Sequence, residues 1–370
     1  MKRDAADHMQ DGGTDAFRDV FDKDIGEQDK DKGKGNGNGH DQKPLHQLFD
    51  DAATLKTKVF EPIKYIVPGV IVEGLTILAG KPKVGKSWLV LHGAIAVARG
   101  GFTLGEIKCI EGDVLYCALE DNERRLQSRM RKLLQLQDWP KRLQYLCLGK
   151  LPRLNEGGLE KLKAWIDSVP NPRLIIIDTW VTVRAPKKGN QPNYDQDYES
   201  GKELQKLANE RGIAIVIVHH QRKADAEDIY DTVNSTLGLT GVVDSILILK
   251  REPGGVALYG RGRDLEDIEK AIEFDTHTCT WRIVGDAAEV QHTKQRAAIL
   301  RVIELAREPI GPAHIAAATR MKQSNVRYLL HQMVQDGEIE RASYGKYRAR
   351  RDASSTTSEE TSEETSEEKN

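Results

Sequence analysis

Between Ile77 and Leu91 the chain reads ILAGKPKVGKSWLVL, and no other stretch limits its fold as strongly. The segment contains Gly80-x-x-x-x-Gly85-Lys86-Ser87, entered from an apolar run and left through a second one. A glycine-rich loop joining a strand to a helix turns successive backbone N–H groups onto one anion, and the helix dipole adds to their field. In such a loop the lysine reaches the β- and γ-phosphates of a nucleotide and the serine hydroxyl can hold Mg²⁺. The expected cradle is Gly80, Lys81, Pro82, Lys83, Val84, Gly85, Lys86, Ser87 and Trp88, with Ser87 also a metal ligand.

The flanking pattern supplies the sheet that such a loop needs. Short apolar runs predict strands at Leu75–Ala79, Val114–Glu120, Leu143–Leu148, Leu174–Asp178, Ile213–His219 and Ser245–Lys250. Helical spacing predicts Trp88–Arg99, Glu123–Leu136, Leu159–Ser168 and Asp197–Arg211 between them. Continuous apolar strands alternating with helices argue for a buried, mostly parallel α/β sheet. After Lys250 the runs shorten to Val256–Gly260, Ala271–Asp275 and Thr280–Val284, which read as antiparallel hairpins finishing the sheet. Residues 291–351 restart as a helix over Lys294–Arg307, two helices around a short turn, and a β-ribbon turning at Tyr344–Gly345. Helix, helix–turn–helix and ribbon form a winged-helix pattern.

Charge divides the 370 residues further. The formal net charge is only −2, but it is unevenly placed. Residues 1–44 carry 8 Lys/Arg against 11 Asp/Glu, residues 291–351 carry 12 against 5, and the last nineteen carry 1 against 7. The expected division is a disordered acidic segment at 1–44, an ATPase-type domain at 45–288, a winged helix at 289–351 and a disordered acidic tail at 352–370. The tail contains TSEE three times and cannot bury a core. A basic module points to a polyanionic partner. Four cysteines without C-x-x-C spacing argue against a zinc ribbon or disulfide framework. No apolar run is long enough to span a bilayer and the N-terminus lacks a signal-peptide core, so the expected home is the cytoplasm, away from membranes.

Several residues beyond the loop carry chemistry. Asp178 ends an apolar strand, the Walker B arrangement, and is expected to hold Mg²⁺ directly or through water. Glu120 is the expected base that orients water, with Asp121 as its rival and one of Glu120, Asp121 and Asn122 expected to cap the next helix. His219 and His220 end another strand, where one of them could sense the γ-phosphate; alternation does not decide which. Arg261 and Arg263 lie one residue apart on a strand among glycines. Either they stabilise charge developing on a transferred phosphoryl group, often across a subunit boundary, or they pair with Asp264, Glu266 or Asp267 at the surface. The basic segments Arg184, Lys187, Lys188 and Arg222, Lys223 leave the sheet where they could meet a strand's phosphates or merely be solvated.

Five motifs in order, GLTILAGKPKVGKSWL, YCALEDN, LIIIDT, VIVHHQRKA and LYGRGRD, give the chain its resemblance to a known family. Over roughly residues 60–285 it resembles the RecA-like P-loop ATPases related to hexameric replicative helicases, and most of all the plasmid RepA-type helicases and their phage relatives. The resemblance implies a hexameric homo-oligomeric ring with ATP and Mg²⁺ between subunits. Glu120 would be the catalytic glutamate, Asp178 the Walker B acid and His220 the phosphate sensor, with Arg261 and Arg263 acting in trans. Loops after Asp178 and His220 would face single-stranded DNA in the channel. The chain departs from DnaB-type helicases, which carry a helical N-terminal domain, and from RepA proteins, which lack a winged helix and acidic tail.

The function expected is therefore an ATP-hydrolysing, DNA-dependent motor, a helicase or helicase-like replication protein. Its winged helix offers a site for duplex DNA. Two alternatives stay open: an ATP switch that assembles on DNA in recombination or repair, and an ATP-controlled winged-helix regulator of replication or transcription.

Overall fold

The computed structural model describes residues 49–186, 193–221, 228–234, 238–252 and 254–350. The acidic segment 1–44, Lys187, Lys188, Arg222, Lys223 and the tail 352–370 lie outside the described residues. The chain groups into two units, Met1–Glu61 and Pro62–Asn370. In the first, the described part holds one helix, Ala52–Thr57, which has no buried residue and is capped by the Asp51 side chain.

The second unit is built on a nine-stranded sheet. In chain order its strands are β1 (Gly74–Gly80), β2 (Asp113–Ala118), β3 (Leu143–Cys147), β4 (Pro172–Asp178), β5 (Ala214–His220), β6 (Ser245–Glu252), β7 (Gly255–Gly262), β8 (Ile268–Asp275) and β9 (Thr280–Asp286). Their order across the sheet is β9-β8-β7-β6-β1-β5-β4-β2-β3. The run from β6 to β3 is parallel, and β7, β8 and β9 add on antiparallel. The architecture is thus an α/β core with a mostly parallel central sheet.

The parallel strands are apolar at nearly every position because helices cover both faces. Alternation on β1 sends Leu78 to the layer under helix α1 (Lys86–Arg99). Leu75, Ile77 and Ala79 go to the opposite layer, against α3 (Gly158–Ser168) and α4 (Asn193–Arg211). Helix α2 (Glu123–Leu134) returns to the α1 side with Leu126, Met130 and Leu134 inward. Each such fully buried side chain contributes about 1.5–3 kcal/mol, before chain entropy is counted.

Two expectations at element ends are corrected. The second predicted strand stops at Ala118, so Glu120 stands in a turn two residues past it. The chain leaves the sheet there because Leu119 N–H bonds to Asp178 O and Asp121 N–H to Ala118 O. The helix expected to reach Leu136 ends at Leu134, where Gln135 takes a positive φ of 51°.

After the sheet, α5 (Ala287–Glu304) begins directly at β9 and packs on both β8 and β9. It is followed by α6 (Pro312–Thr319), α7 (Gln323–Gln335) and a ribbon of β10 (Ile339–Ser343) and β11 (Lys346–Ala349). These elements enclose a core of their own, with Ile299, Ile303, Ile315, Leu329, Leu330 and Met333 buried together. Among the described residues no helix is long and apolar enough to cross a membrane.

Candidate nucleotide-binding site

The parallel register brings four strand ends to one edge. Gly80 pairs with His220, Asp178 with Val218, and Ala118 with Asp178. Ligands of open α/β sheets bind at this carboxyl edge, where loops diverge. The Gly80–Ser87 loop rises from it, with Lys83 at φ 61° and Gly85 at φ 107°. Gly85 is the N-cap of α1 and has no side chain to cap with, so the first N–H groups of the helix stay directed into the loop. A hairpin far along the chain braces this point: Trp281 of β9 is buried and donates its Nε1–H to Gly85 O at 3.2 Å.

Lys86 is buried, and its Nζ donates to Gly80 O at 2.7 Å and to Lys81 O at 3.1 Å. The same ammonium lies 3.2 Å from Nδ1 of His220. Burial lowers its pKa to about 8, with the Asp178 and Glu120 carboxylates pulling it back up. Burial and the neighbouring Lys86 charge also lower the pKa of His220. Alternation left His219 and His220 equivalent; in the structure His220 is the one that meets Lys86.

Asp178 is buried at the end of β4 and accepts hydrogen bonds from the Ser87 hydroxyl and, at 3.1 Å, from Tyr116 OH. Burial raises its pKa against the opposing effect of those two bonds. A hydroxyl and a carboxylate in mutual contact are hard oxygen donors of the kind Mg²⁺ shares with nucleotide phosphates. The residues present therefore fit a Mg²⁺–nucleotide pair. Among the described residues no group of three or more His, Cys, Asp or Glu forms an all-protein metal cage.

Glu120 lies against the same cluster. Its Oε1 accepts from the Thr179 hydroxyl at 3.0 Å and lies 4.0 Å from His220 Nε2. Its rival is engaged elsewhere: Asp121 is buried and paired with Arg125 and Arg129. Asn122 is the helix cap, accepting from Arg125 N–H at 2.9 Å. Trp88 lies beside the loop, with the Arg129 guanidinium 5.7 Å from its ring centroid and Phe274 at 6.3 Å.

The two arginines do not join this cluster. Arg261 is in register with Ile246, which pairs with Ile77, three residues short of Gly80. Two strands across and three residues back put it roughly 14 Å from the start of its own loop. It stacks 4.3 Å over the Tyr230 ring, with Nε 3.4 Å from Asp267 Oδ1. Arg263 lies past the end of β7, so strand alternation does not govern it; it pairs with Asp244 at 3.1 Å. Arg184 is held in a part-buried ion pair with the fully buried Asp197, which also accepts from Trp180 Nε1–H.

Thr179, Tyr116 and Trp281 escaped the sequence reading. Thr179 follows Asp178 directly and Tyr116 precedes Glu120 by four, so proximity in sequence was a usable signal for both. Trp281 lies 196 residues from Gly85, and no local pattern announces that contact.

Several known proteins are similar to parts of this chain. The DNA repair protein RadA of Streptococcus pneumoniae is 25% identical over 198 residues, 53% of this chain and 40% of that protein. The chain thus matches two fifths of the length of this curated relative. A DnaB-like replicative helicase, described with its interactions with primase, overlaps with a TM-score of 0.47 at 13% identity, over 64% of this chain and 69% of its own. A KaiC-like protein of Pyrococcus horikoshii overlaps with a TM-score of 0.42 at 11% identity, over 60% and 99%. A family model described as an AAA domain matches residues 41–226. That match spans more than half of the sequence, so this P-loop chain belongs to the AAA domain family.

Proposed function

We propose that this protein is a RecA-like, DNA-dependent ATPase motor of the helicase type. It would work as a homo-oligomeric ring, six-fold by the resemblance, with nucleotide bound between subunits. The observation that carries the reading is the convergence of Lys86, Ser87, Asp178, Glu120 and His220 on one sheet edge, while Arg261 stands outside it. A site built this way has a base and a phosphate cradle in cis, while the described arginines beside it, Arg125 and Arg129, are engaged by Asp121. A neighbouring subunit can supply an arginine for the developing charge.

The loop from Gly80 to Trp88 would hold the phosphates of ATP on its backbone N–H groups. Ser87 and Asp178 would hold Mg²⁺, which when bound neutralises charge on the phosphate oxygens. Lys86 would leave its loop carbonyls and His220 for the phosphates. Freed from Lys86, His220 would become the group that registers the γ-phosphate. Glu120, steadied by Thr179, would accept a proton from attacking water. Arg261 would act in trans, and Arg263 would support the same boundary from its pairing with Asp244. The likeness to RadA, a DNA repair protein, supports a nucleic-acid partner, and single-stranded DNA is the partner proposed for the core. Four free, buried cysteines fit a cytoplasmic protein. The C-terminal helices and ribbon, from about residue 289, are read as a winged-helix module.

The test is the steady-state ATPase rate with and without single-stranded DNA, using Lys86→Ala as the blank. Strong stimulation supports the motor. A low rate indifferent to single strands rejects it and leaves the recombination switch or the ATP-controlled regulator.

A further inference from the structure

We propose that residues 287–350 bind duplex DNA, with the outward face of α7 in the major groove and the ribbon tip on the adjoining backbone. The inference rests on the winged-helix reading of these elements and adds to it the face and the residues that make contact.

Helix α7 turns Val326, Leu329, Leu330 and Met333 into the core of the module. Its opposite side presents Ser324, Arg327, Tyr328, His331 and Gln335, all exposed. These are hydrogen-bonding side chains with one fixed cation, and the helix contains no Asp or Glu at all. Base edges of the major groove are read by such groups, and a carboxylate-free face lets them approach phosphates.

The charge of the module is sorted onto this side. Residues 287–350 contain 11 Lys/Arg and 6 Asp/Glu. Of the acids, Asp336 and Glu338 at the far end of α7 are both clamped by Arg296 of α5, and Glu340 is paired with Arg348. The other three, Glu289, Glu304 and Glu308, belong to α5 and the connection after it. Arg320, Lys322, Arg327, Arg341 and Lys346 are exposed and form no ion pair among the described residues. All five lie on the turn before α7, on α7 itself, or on the ribbon, whereas Lys294, Arg301 and Arg307, also exposed and without an ion pair among the described residues, share α5 and its following connection with Glu289, Glu304 and Glu308. At the ribbon tip Tyr344 is 95% exposed, with the Arg341 guanidinium 5.3 Å from its ring centroid. An aromatic body and a cation at a projecting turn can lie against sugar and phosphate together. The face is held rigidly, because Ile310 on the approach to α6 bridges to Tyr347 of the ribbon and Asn325 of α7 bonds to Gln295 of α5.

The experiment titrates the full chain, in a Lys86→Ala background and without nucleotide, against a fluorescent mixed-sequence duplex at several salt concentrations. Five phosphate contacts predict a log–log salt slope of about −4.5. The double variant Arg327→Ala, Lys346→Ala should weaken binding and make the slope shallower by about 2, with thermal unfolding unchanged. Charge reversal at the same two positions should abolish binding. Duplex binding indifferent to both variants, absence of duplex binding, or occupation of this face by a protein partner instead would each overturn the proposal. If duplex binding stands while single strands fail to stimulate the ATPase, the motor reading alone falls. If a stimulated ATPase ignores duplexes, this inference alone falls.

Discussion

The Thr179 hydroxyl donates to Glu120 Oε1 at 3.0 Å, tying the residue after Asp178 to the carboxylate beyond the neighbouring strand. Thr179→Val keeps the shape and removes the donor. Turnover should fall roughly three- to tenfold, as expected for one part-exposed hydrogen bond to a charged group, with nucleotide affinity little changed. Thr179→Ser should restore the rate. Steady-state kinetics beside a fluorescent-nucleotide titration would show this, and a valine variant as fast as wild type would exclude a positioning role.

Lys86 gives the site a pH dependence. Its pKa is lowered by burial from the ordinary 10.5 to about 8. Between about pH 8 and 10.5 the unfolded chain binds the extra proton, so this group's contribution to stability rises with pH. Below pH 8 the cost of the buried ammonium is fully present. Phosphates would favour the charged form, so nucleotide binding near pH 8.5 should take up protons, and affinity should decline as pH climbs through 8. Calorimetry in two buffers of different ionisation enthalpy measures the uptake; identical heats would contradict the assignment. Lys86→Ala should abolish turnover at every pH.

Gly85 has φ 107°, and a Cβ there would lie 2.6 Å from Trp281 Cζ2. Gly85→Ala should therefore abolish nucleotide binding in a chain that still folds, since the loop must open to admit the methyl group. The milder Trp281→Phe removes the bond to Gly85 O and part of the ring packed against the loop, and should raise KM more than it lowers kcat. The reverse pattern would show that the tryptophan serves chemistry rather than loop geometry.

Gly93 sits mid-helix in α1, and a Cβ built there meets nothing within 4 Å. It borders a small apolar cavity of about 30 Å³. Gly93→Ala should stabilise the fold by about 1 kcal/mol through helix propensity and loss of unfolded-chain freedom. Thermal melts should show a rise of roughly 2 °C. A fall would mean that the helix packs more closely than the structure indicates.

Arg261→Ala should bind ATP almost normally and lose turnover. Mixing it with Glu120→Gln, which should bind and trap ATP, restores activity only if one subunit's arginine serves another's glutamate. Lack of rescue at any ratio of co-assembled subunits would place Arg261 in a surface ion pair with Asp267 and nothing more.

Much of this site was legible because it is local. The P-loop, Asp178 and the strand carrying Asp178 are fixed by residue type at short spacing, and the parallel sheet followed from apolar runs alternating with helices. The end of β2 was not legible: Cys117, Ala118 and Leu119 continue an apolar pattern, and it is the backbone bonds from Leu119 N–H to Asp178 O and from Asp121 N–H to Ala118 O that end the strand and turn the chain there. The choice between Glu120 and Asp121 was open for the same reason. Two adjacent acids look alike until Arg125 and Arg129 claim one of them.

The sequence by itself determined the α/β class, the glycine-rich loop at the sheet edge, the acids available to it and the basic character of the C-terminal module. Each depends on composition or on contacts within a few residues. Tertiary structure alone decided that His220 meets Lys86, that Trp281 braces Gly85, that Arg261 stands away from its own loop, and that Arg296 silences two carboxylates beside α7. Those relations join residues tens to hundreds of positions apart. They follow from strand order, register and helix packing, which many sequences of the same pattern could satisfy differently.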